Sequence, residues 1–177
     1  MRTWIILMIA ILPIFAQDIK LPASLDKLAA KAVESVDVSL DGALLKMATG
    51  FLSDKKSDEA KVKGLVGGLR GIYVRSFEFD KEGQYSAEDV EAIRSQLRAP
   101  GWSKIVGVVS RKDGETTEVY LRTEGDHSTG LVILAAEPKE LTVVNIAGTI
   151  DLNQLSDLGG HFGIPKIDVE KKKPTKD

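Results

Sequence analysis

The 177-residue chain contains no cysteine and only two histidines. Without cysteine there can be no disulfide, no thiol nucleophile, no cysteine-ligated metal and no lipid attached through a cysteine. The two histidines leave little room for a zinc site or for a catalytic triad. We therefore expect a fold that is stabilised by packing alone and a function outside the common histidine and thiol chemistries.

Motifs of the common enzyme classes are also missing. The chain has no Gly-x-Ser-x-Gly elbow, no His-Glu-x-x-His pair and no Walker lysine in the glycine-rich run 67–71. His127 follows Asp126 in a predicted hairpin loop, which favours a solvated histidine over a metal or acid–base pair. His161 follows a predicted helix in a glycine-rich run, which indicates a C-cap and exit turn instead of a phosphate loop. The sequence thus predicts no cofactor and no metal.

The charge of the chain does not favour a nucleic-acid partner. There are 24 basic and 26 acidic residues, and several of the bases lie in the last seven residues, so the remainder is more acidic still. Nucleic-acid binders normally present a basic face. Residues 167–177 are predicted to form a disordered, solvated, lysine-rich tail, and association of this tail with anionic lipid is the alternative.

Residues 1–16 have the pattern of a secretory signal peptide. Arg2 supplies the positive charge, residues 4–12 the apolar segment, and Ala16 the small residue before a cleavage site. The apolar segment is too short to span a membrane. The sequence therefore predicts an exported protein, periplasmic or secreted, and retention of the segment as an N-terminal anchor is the alternative.

The clearest local pattern is a strand followed by a helix in the middle of the chain. A strand is predicted from Ile72 to Phe79 by its apolar and β-branched content. Ser86 and Asp89 have the spacing of a capping box, so a helix should begin there and end before Pro100. Further on, Asp113-Gly114 predicts a tight hairpin turn with two positive φ angles.

Further segments complete one predicted domain, residues 17–166. Helices are predicted at 25–32, 44–52 and 62–69, and in a short segment that Asp151 would cap; strands are predicted at 36–40, 105–109, 118–122, 131–136 and 141–147. Segment 131–136 is apolar at every position, which predicts a central strand. The order predicts an α+β fold: a two-layer sandwich with a largely antiparallel sheet, a C-terminal four-strand meander and helices on one face.

Several short motifs, taken in their order along the chain, resemble a known family. They are Leu40-Asp41 before a leucine-rich helix, the strand 73–79, residues 94–97 before Pro100-Gly101-Trp102, the segment 136–142, and residues 162–165. Together they resemble the bacterial secreted family catalogued only as domain of unknown function 4252. The resemblance implies an exported bacterial protein with no assigned activity. Many members of this family look like lipoproteins, and this chain departs from them by lacking the anchor cysteine.

One combination of residue types predicts a binding surface. If Ile72 and Val74 face the helices, strand alternation places aromatic and arginine residues of two strands together on the open side of the sheet. Such residues are enriched where proteins meet partners. The predicted binding residues are Tyr73, Arg75, Phe77, Tyr120 and Arg122. The alternative is that Phe77 and Phe79 belong to the core and that the two arginines pair with Glu118 or Glu124. A separate pattern, apolar Val119 and Leu121 alternating with the polar residues of their strand, predicts one wet strand face.

The sequence thus favours an exported, non-enzymatic binding or interaction module with a protein partner in the cell envelope. The alternative is a small carboxylate-dependent hydrolase, for which Glu78 with Asp80, or Glu137 with Glu140, are candidate pairs. Solvated acids at strand ends are the simpler interpretation of both pairs. An enzyme would need a concave pocket with convergent titratable groups, whereas a binding module needs an exposed patch.

Overall fold

The computed structural model describes residues 19, 22, 25–52 and 57–150. The helices in these ranges are α1 (Asp26–Ala29), α2 (Gly42–Thr49), α3 (Ser57–Gly67) and α4 (Ala87–Gln96). The strands are β1 (Glu34–Asp41), β2 (Leu69–Glu78), β3 (Trp102–Ser110), β4 (Glu115–Glu124), β5 (His127–Glu137) and β6 (Glu140–Gly148). Each helix and strand predicted between residues 25 and 150 is present, with ends shifted by a few residues.

Two of the helices begin where side-chain caps satisfy their first N–H groups. The Asp41 carboxylate accepts hydrogen bonds from the N–H groups of Ala43 and Leu44, both at 2.9 Å, and starts α2. Ser86 and Asp89 form the complete capping box at the start of α4. The free N–H groups of a first helical turn need such partners, so both caps fix where the chain becomes helical.

The observed turn at Asp113-Gly114 differs from the predicted one. Gly114 has a φ of +73°, but Asp113 does not have a positive φ, because among the described residues glycine alone adopts one. Four residues, 111–114, connect β3 to β4 instead of a two-residue turn. A longer loop lets a single glycine reverse the chain, so the two-residue turn prediction is wrong here.

All six strands form one antiparallel sheet in the order β1-β2-β6-β5-β4-β3. The mixed α+β class is therefore confirmed, with the sheet as its larger part. β5 lies between β6 and β4, which confirms the central position predicted for segment 131–136. Because α4 connects β2 with β3, the chain between these strands passes from one half of the sheet to the opposite edge.

The larger core lies on the side of the sheet that carries Phe77, Tyr120 and Val132, which we call the first face. Apolar side chains of α1 and α4 pack against it. Those of α4 recur at helical spacing, so they form one stripe that faces the sheet. The buried residues of this core from the two helices and their caps are Leu25, Leu28, Val90, Ile93 and Leu97.

A smaller apolar cluster lies on the opposite side, which we call the second face. It contains Val119, Leu121, Leu131 and Ile150, the last of which donates its N–H to the Ser128 carbonyl at 2.9 Å. Apolar residues at both phases of β4 and β5 supply the two clusters, because successive side chains point to opposite faces. The helices α2 and α3 contact each other, and α2 also contacts β1 and β2.

Several predictions fall outside the described residues. These are the signal segment 1–16, the helix that Asp151 would cap, His161 and the tail 167–177. Within the described part of the chain, none of the helices is long and apolar enough to cross a membrane.

Candidate functional site

The five predicted binding residues lie on the first face. Tyr73 and Tyr120 belong to one row that crosses four neighbouring strands, and Arg122 follows two residues after Tyr120 on β4. Arg75 and Phe77 occupy the next positions of the same phase on β2. Strand alternation therefore identified which side chains share a face.

Helices cover the first face where two of these residues, Phe77 and Tyr120, lie. Phe77 is 1% exposed and Tyr120 is 7% exposed, and both belong to the core under α1 and α4. Phe79 is buried beside Tyr85, with 5.9 Å between their ring centroids. The expectation of an open aromatic face is wrong for these residues, and the alternative that Phe77 and Phe79 belong to the core is confirmed. Alternation separates two faces of a sheet, but it does not tell which of them the helices cover.

The remaining predicted residues reach solvent in part, and both arginines have acidic neighbours. Arg75 Nη1 lies 2.7 Å from Asp37 Oδ2 on the neighbouring strand β1. Arg122 Nη2 lies 3.3 Å from Glu124 Oε1, and its guanidinium carbon lies 6.0 Å from the centre of the Trp102 ring. The predicted pairing with glutamate is thus confirmed for Arg122, while Arg75 pairs with an aspartate instead. That Tyr73, Arg75 and Arg122 contact a partner stays a prediction.

A buried carboxylate is the centre of the polar part of the first face. Glu118 on β4 is 6% exposed. Its Oε2 atom accepts a hydrogen bond from Arg94 Nε at 2.6 Å, and its Oε1 atom accepts one from Lys104 Nζ at 3.0 Å. The Tyr120 hydroxyl donates to Oε2 at 3.3 Å. We call these four residues the Glu118 cluster; it connects α4, β3 and β4.

The Glu118 cluster keeps its carboxylate ionised. Burial alone would raise the pKa of Glu118, but the hydrogen bonds and charges of Arg94 and Lys104 outweigh burial and lower that pKa below its usual value. The hydrogen bond to Glu118, and then its charge, raise the pKa of Lys104. Burial, and then the charge of Glu118, raise the pKa of Tyr120. At neutral pH the cluster is therefore a closed ion-pair network, which suits a structural connection better than proton transfer.

Sequence reasoning missed this cluster. The alternation of β4 indicated a wet face for Glu118 and Tyr120, whereas both are buried under α4. The signal that could have found the cluster is the position of Arg94 four residues after Val90 and three before Leu97, because residues at these spacings lie on the same side of a helix.

Three of the four candidate carboxylates, Glu78, Glu137 and Glu140, belong to a row of acids at one end of the sheet. Glu34, Glu78, Glu140 and Glu137 are successive register partners across four strands. Burial, and then the charges of Glu140 and Glu115, raise the pKa of Glu137. Glu137 lies at the turn before Glu140, so burial together with repulsion between neighbouring acids explains the raised pKa without a substrate.

Metal ligation has no support in the described part of the chain. Among the described residues there is no group of three or more histidine, aspartate or glutamate side chains that could hold a metal ion. His127 begins β5, is exposed and lies opposite Glu124.

Strand β3 is an apolar edge of the sheet. Among the described strands none pairs with its outer side. Val108 is 57% exposed and Val109 is 65% exposed, and Ile105 is exposed as well. An irregularity at Ile105 interrupts the register with β4, which is continuous again from Val106 to Ser110. The edge therefore combines aliphatic side chains in solvent with outward backbone N–H and C=O groups.

Apolar side chains of the described residues are also exposed at Val33, just before β1, and at two further places. Leu44 and Met47 lie along one side of α2, and Phe51 follows just beyond its end. The opposite edge strand, β1, exposes Val36. That strand also contains three acids, Glu34, Asp37 and Asp41. Charges on an edge strand oppose pairing with another chain, so β1 is protected along its length, whereas the one charge of β3, Lys104, lies near its start.

Comparisons with known proteins identify the family of this chain. Comparison with curated proteins and with solved structures gave no match. The sequence model of the family described as Domain of unknown function (DUF4252) matches residues 29–158, a span that includes every described strand. The chain therefore belongs to this family, as the order of its motifs indicated.

Proposed function

We propose that the chain is an exported, non-enzymatic interaction module of the bacterial cell envelope that binds an extended protein segment along strand β3. The observation that carries this proposal is the exposure of Val108 and Val109 on an edge strand without a described partner. An added strand would pair with the outward backbone groups of β3 and cover these aliphatic side chains. Removal of apolar surface from water contributes about 25 cal/mol per Å².

The contrast between the two edges of the sheet supports β3 as the docking strand. β1 alternates valine with acids and serines, whereas the exposed stretch of β3 from Ile105 to Val109 contains no charge. Long apolar edge strands are normally blocked because they pair with other chains. The unblocked edge of β3 is therefore available for pairing, and an extended protein segment is the partner that fits its backbone groups and aliphatic side chains.

Export is the second part of the proposal. It is supported by the charge, apolar segment and small residues of 1–16. We expect cell fractionation to recover the protein outside the cytoplasm and mass spectrometry to find Gln17 at its start. Recovery of the uncleaved chain from the cytoplasm would contradict this part of the proposal.

A pull-down from envelope extract tests the docking strand. The bait is the tagged chain from Gln17 to Asp177, as wild type and as Val108→Lys. The matched control is Val36→Lys, the same substitution on the other edge strand, where the side chain is also exposed. We expect wild type and Val36→Lys to recover the same proteins and Val108→Lys to lose them, because a lysine disfavours pairing at that edge. Thermal melts establish that all baits fold.

Two further baits test competing surfaces. Met47→Lys places a charge on the exposed side of α2, and Arg75→Glu reverses the charge of the surface predicted from the sequence. Recovery should survive both changes if β3 is the docking strand. Loss of the recovered proteins with either bait, together with normal recovery by Val108→Lys, would transfer the function to that other surface and overturn the proposal for β3.

A further inference from the structure

The apolar residues of strand β3 are arranged symmetrically about Gly107. Ile105 and Val106 precede this glycine, and Val108 and Val109 follow it. When two copies of one strand pair antiparallel about a twofold axis, residues at equal distances from the axis lie opposite each other. An axis at Gly107 places Ile105 opposite Val109 and Val106 opposite Val108. Each exposed aliphatic residue then faces an aliphatic residue of the other copy.

Neighbouring registers are less favourable. An axis at Val108 places Val106 opposite Ser110 and Val109 opposite Gly107, and it leaves Ile105 without a strand residue opposite it, because β3 ends at Ser110. An axis at Val106 places Lys104 opposite Val108, so that an apolar side chain faces a charge. With the axis at Gly107, Lys104 lies opposite Ser110. The sequence of β3 is therefore self-complementary in one register.

We infer that the segment bound along β3 is the β3 strand of a second copy of this chain, so that two six-stranded sheets join into one. This inference rests on the proposed docking role of β3 and names its partner. The twofold axis is perpendicular to the joined sheet, so the first faces of both copies lie on the same side. Pairing satisfies the outward backbone groups of both edges at once.

Gly107 is the position at which the inference can be tested most sharply, because it lies opposite itself. A Cβ atom added there would have Lys104 Cδ and Cε as its nearest neighbours, both at 3.9 Å, which is ordinary contact. Gly107→Lys places two positive charges opposite each other in the dimer, and Gly107→Asp places two negative charges there. A mixture of the two variants places opposite charges across the axis.

Sedimentation equilibrium of the purified chain from Gln17 to Asp177 measures the result. We expect wild type to form a dimer as concentration rises, and each charged variant to shift the dissociation constant upward by about two- to fivefold. The equimolar mixture should recover dimerisation. Dimers of unchanged affinity in both charged variants would overturn the inference, because the copies would then meet elsewhere.

A cysteine variant gives an independent readout. The chain has no cysteine of its own, so Gly107→Cys introduces one thiol per copy. Mild oxidation should cross-link Gly107→Cys rapidly, whereas the control Val36→Cys, on the other edge strand, should cross-link slowly. Equal cross-linking of both variants would contradict the proposed register.

The failure of this inference can be separated from failure of the proposed function. Wild type that remains monomeric at every concentration overturns the second copy as partner. If Val108→Lys then still loses the proteins that wild type recovers from envelope extract, the docking role of β3 stands with another partner. If Val108→Lys recovers them as wild type does, both proposals fail.

Discussion

Glu118 connects α4 to the sheet through its ion pairs with Arg94 and Lys104. Replacing it by Gln keeps the shape of the side chain but removes the charge that Arg94 and Lys104 share. We expect Glu118→Gln to lower the free energy of unfolding by about 1–3 kcal/mol, since both cations remain partly exposed and can regain water. Urea denaturation measures this loss. Glu124→Gln removes a largely exposed carboxylate beside Arg122 on the same strand and should cost less than about 1 kcal/mol. Equal losses would contradict a special role for Glu118.

Acidification should abolish the stabilisation that the ionised Glu118 side chain gives to the folded protein. Its pKa is lowered in the folded state, so the unfolded chain takes up the proton first as pH falls. The stabilisation is therefore complete above the unfolded pKa, near 4.5, and is lost as pH falls through the folded value. We expect the difference in urea midpoint between wild type and Glu118→Gln to shrink below this pH. A difference that stays constant between neutral and strongly acidic pH would refute the ion-pair explanation.

The ionised Glu137 side chain should have the opposite effect and destabilise the folded protein. Its pKa is raised by burial and then by Glu140 and Glu115, so its charged form is less favourable in the folded protein than in the unfolded chain. Glu137→Gln should therefore raise the free energy of unfolding at neutral pH by a few tenths of a kcal/mol, about the cost of one like-charge cross-strand pair. This gain should disappear in acid, where wild-type Glu137 is protonated. Urea denaturation of wild type and Glu137→Gln at neutral and acidic pH measures the difference. A loss of stability in Glu137→Gln at neutral pH would argue against repulsion in the acidic row.

Single residues also show where sequence reasoning stops. Tyr73 and Tyr120 were correctly placed on one face by strand alternation, because the period of a strand is a local property. The burial of Tyr120 was missed because it depends on where α4 packs. The Glu118 cluster was missed for the same reason, since its members come from three elements and meet only in the folded sheet.

At the scale of elements, capping decides where α4 begins. The Ser86 hydroxyl accepts a hydrogen bond from the Asp89 N–H at 3.3 Å, and Asp89 accepts one from the Ser86 N–H at 3.0 Å. Ser86→Ala should lower the free energy of unfolding by about 1 kcal/mol, because a first-turn N–H loses its partner. The matched control is Ser95→Ala in the same helix, whose hydroxyl only donates to the Ala92 carbonyl. This change should be close to neutral. Equal losses in chemical denaturation of the two variants would contradict the capping argument.

Helices and strands could be predicted where the sequence signals for them are local. The caps at Asp41 and Ser86 fixed two helix starts, and the uninterrupted apolar run of β5 gave its central place in the sheet. The Asp113-Gly114 turn was mispredicted, because the dipeptide allows a two-residue turn but the lengths of β3 and β4 leave a four-residue loop. The exposed edge of β3 could not be inferred, since strand order depends on the path of the chain between β2 and β3.

For the molecule as a whole, the sheet has two unlike edges. β1 contains acids that oppose pairing, while β3 exposes aliphatic side chains along a regular stretch of strand. Edge strands of the second kind present unpaired backbone groups with which another chain can pair. The family has no assigned activity, and an asymmetric pair of edges gives a physical reason to look for its function in association.

Hydrogen–deuterium exchange of strand β3 tests most directly the central claim that its outer edge is a pairing surface. The amides between Val106 and Ser110 are to be compared at low and high concentration of the purified chain from Gln17 to Asp177, and after addition of envelope extract. We expect exchange of the outward amides to slow by about tenfold or more when a partner covers the edge, and Val108→Lys to lose this protection. Equally fast exchange of β3 under all these conditions would contradict the claim.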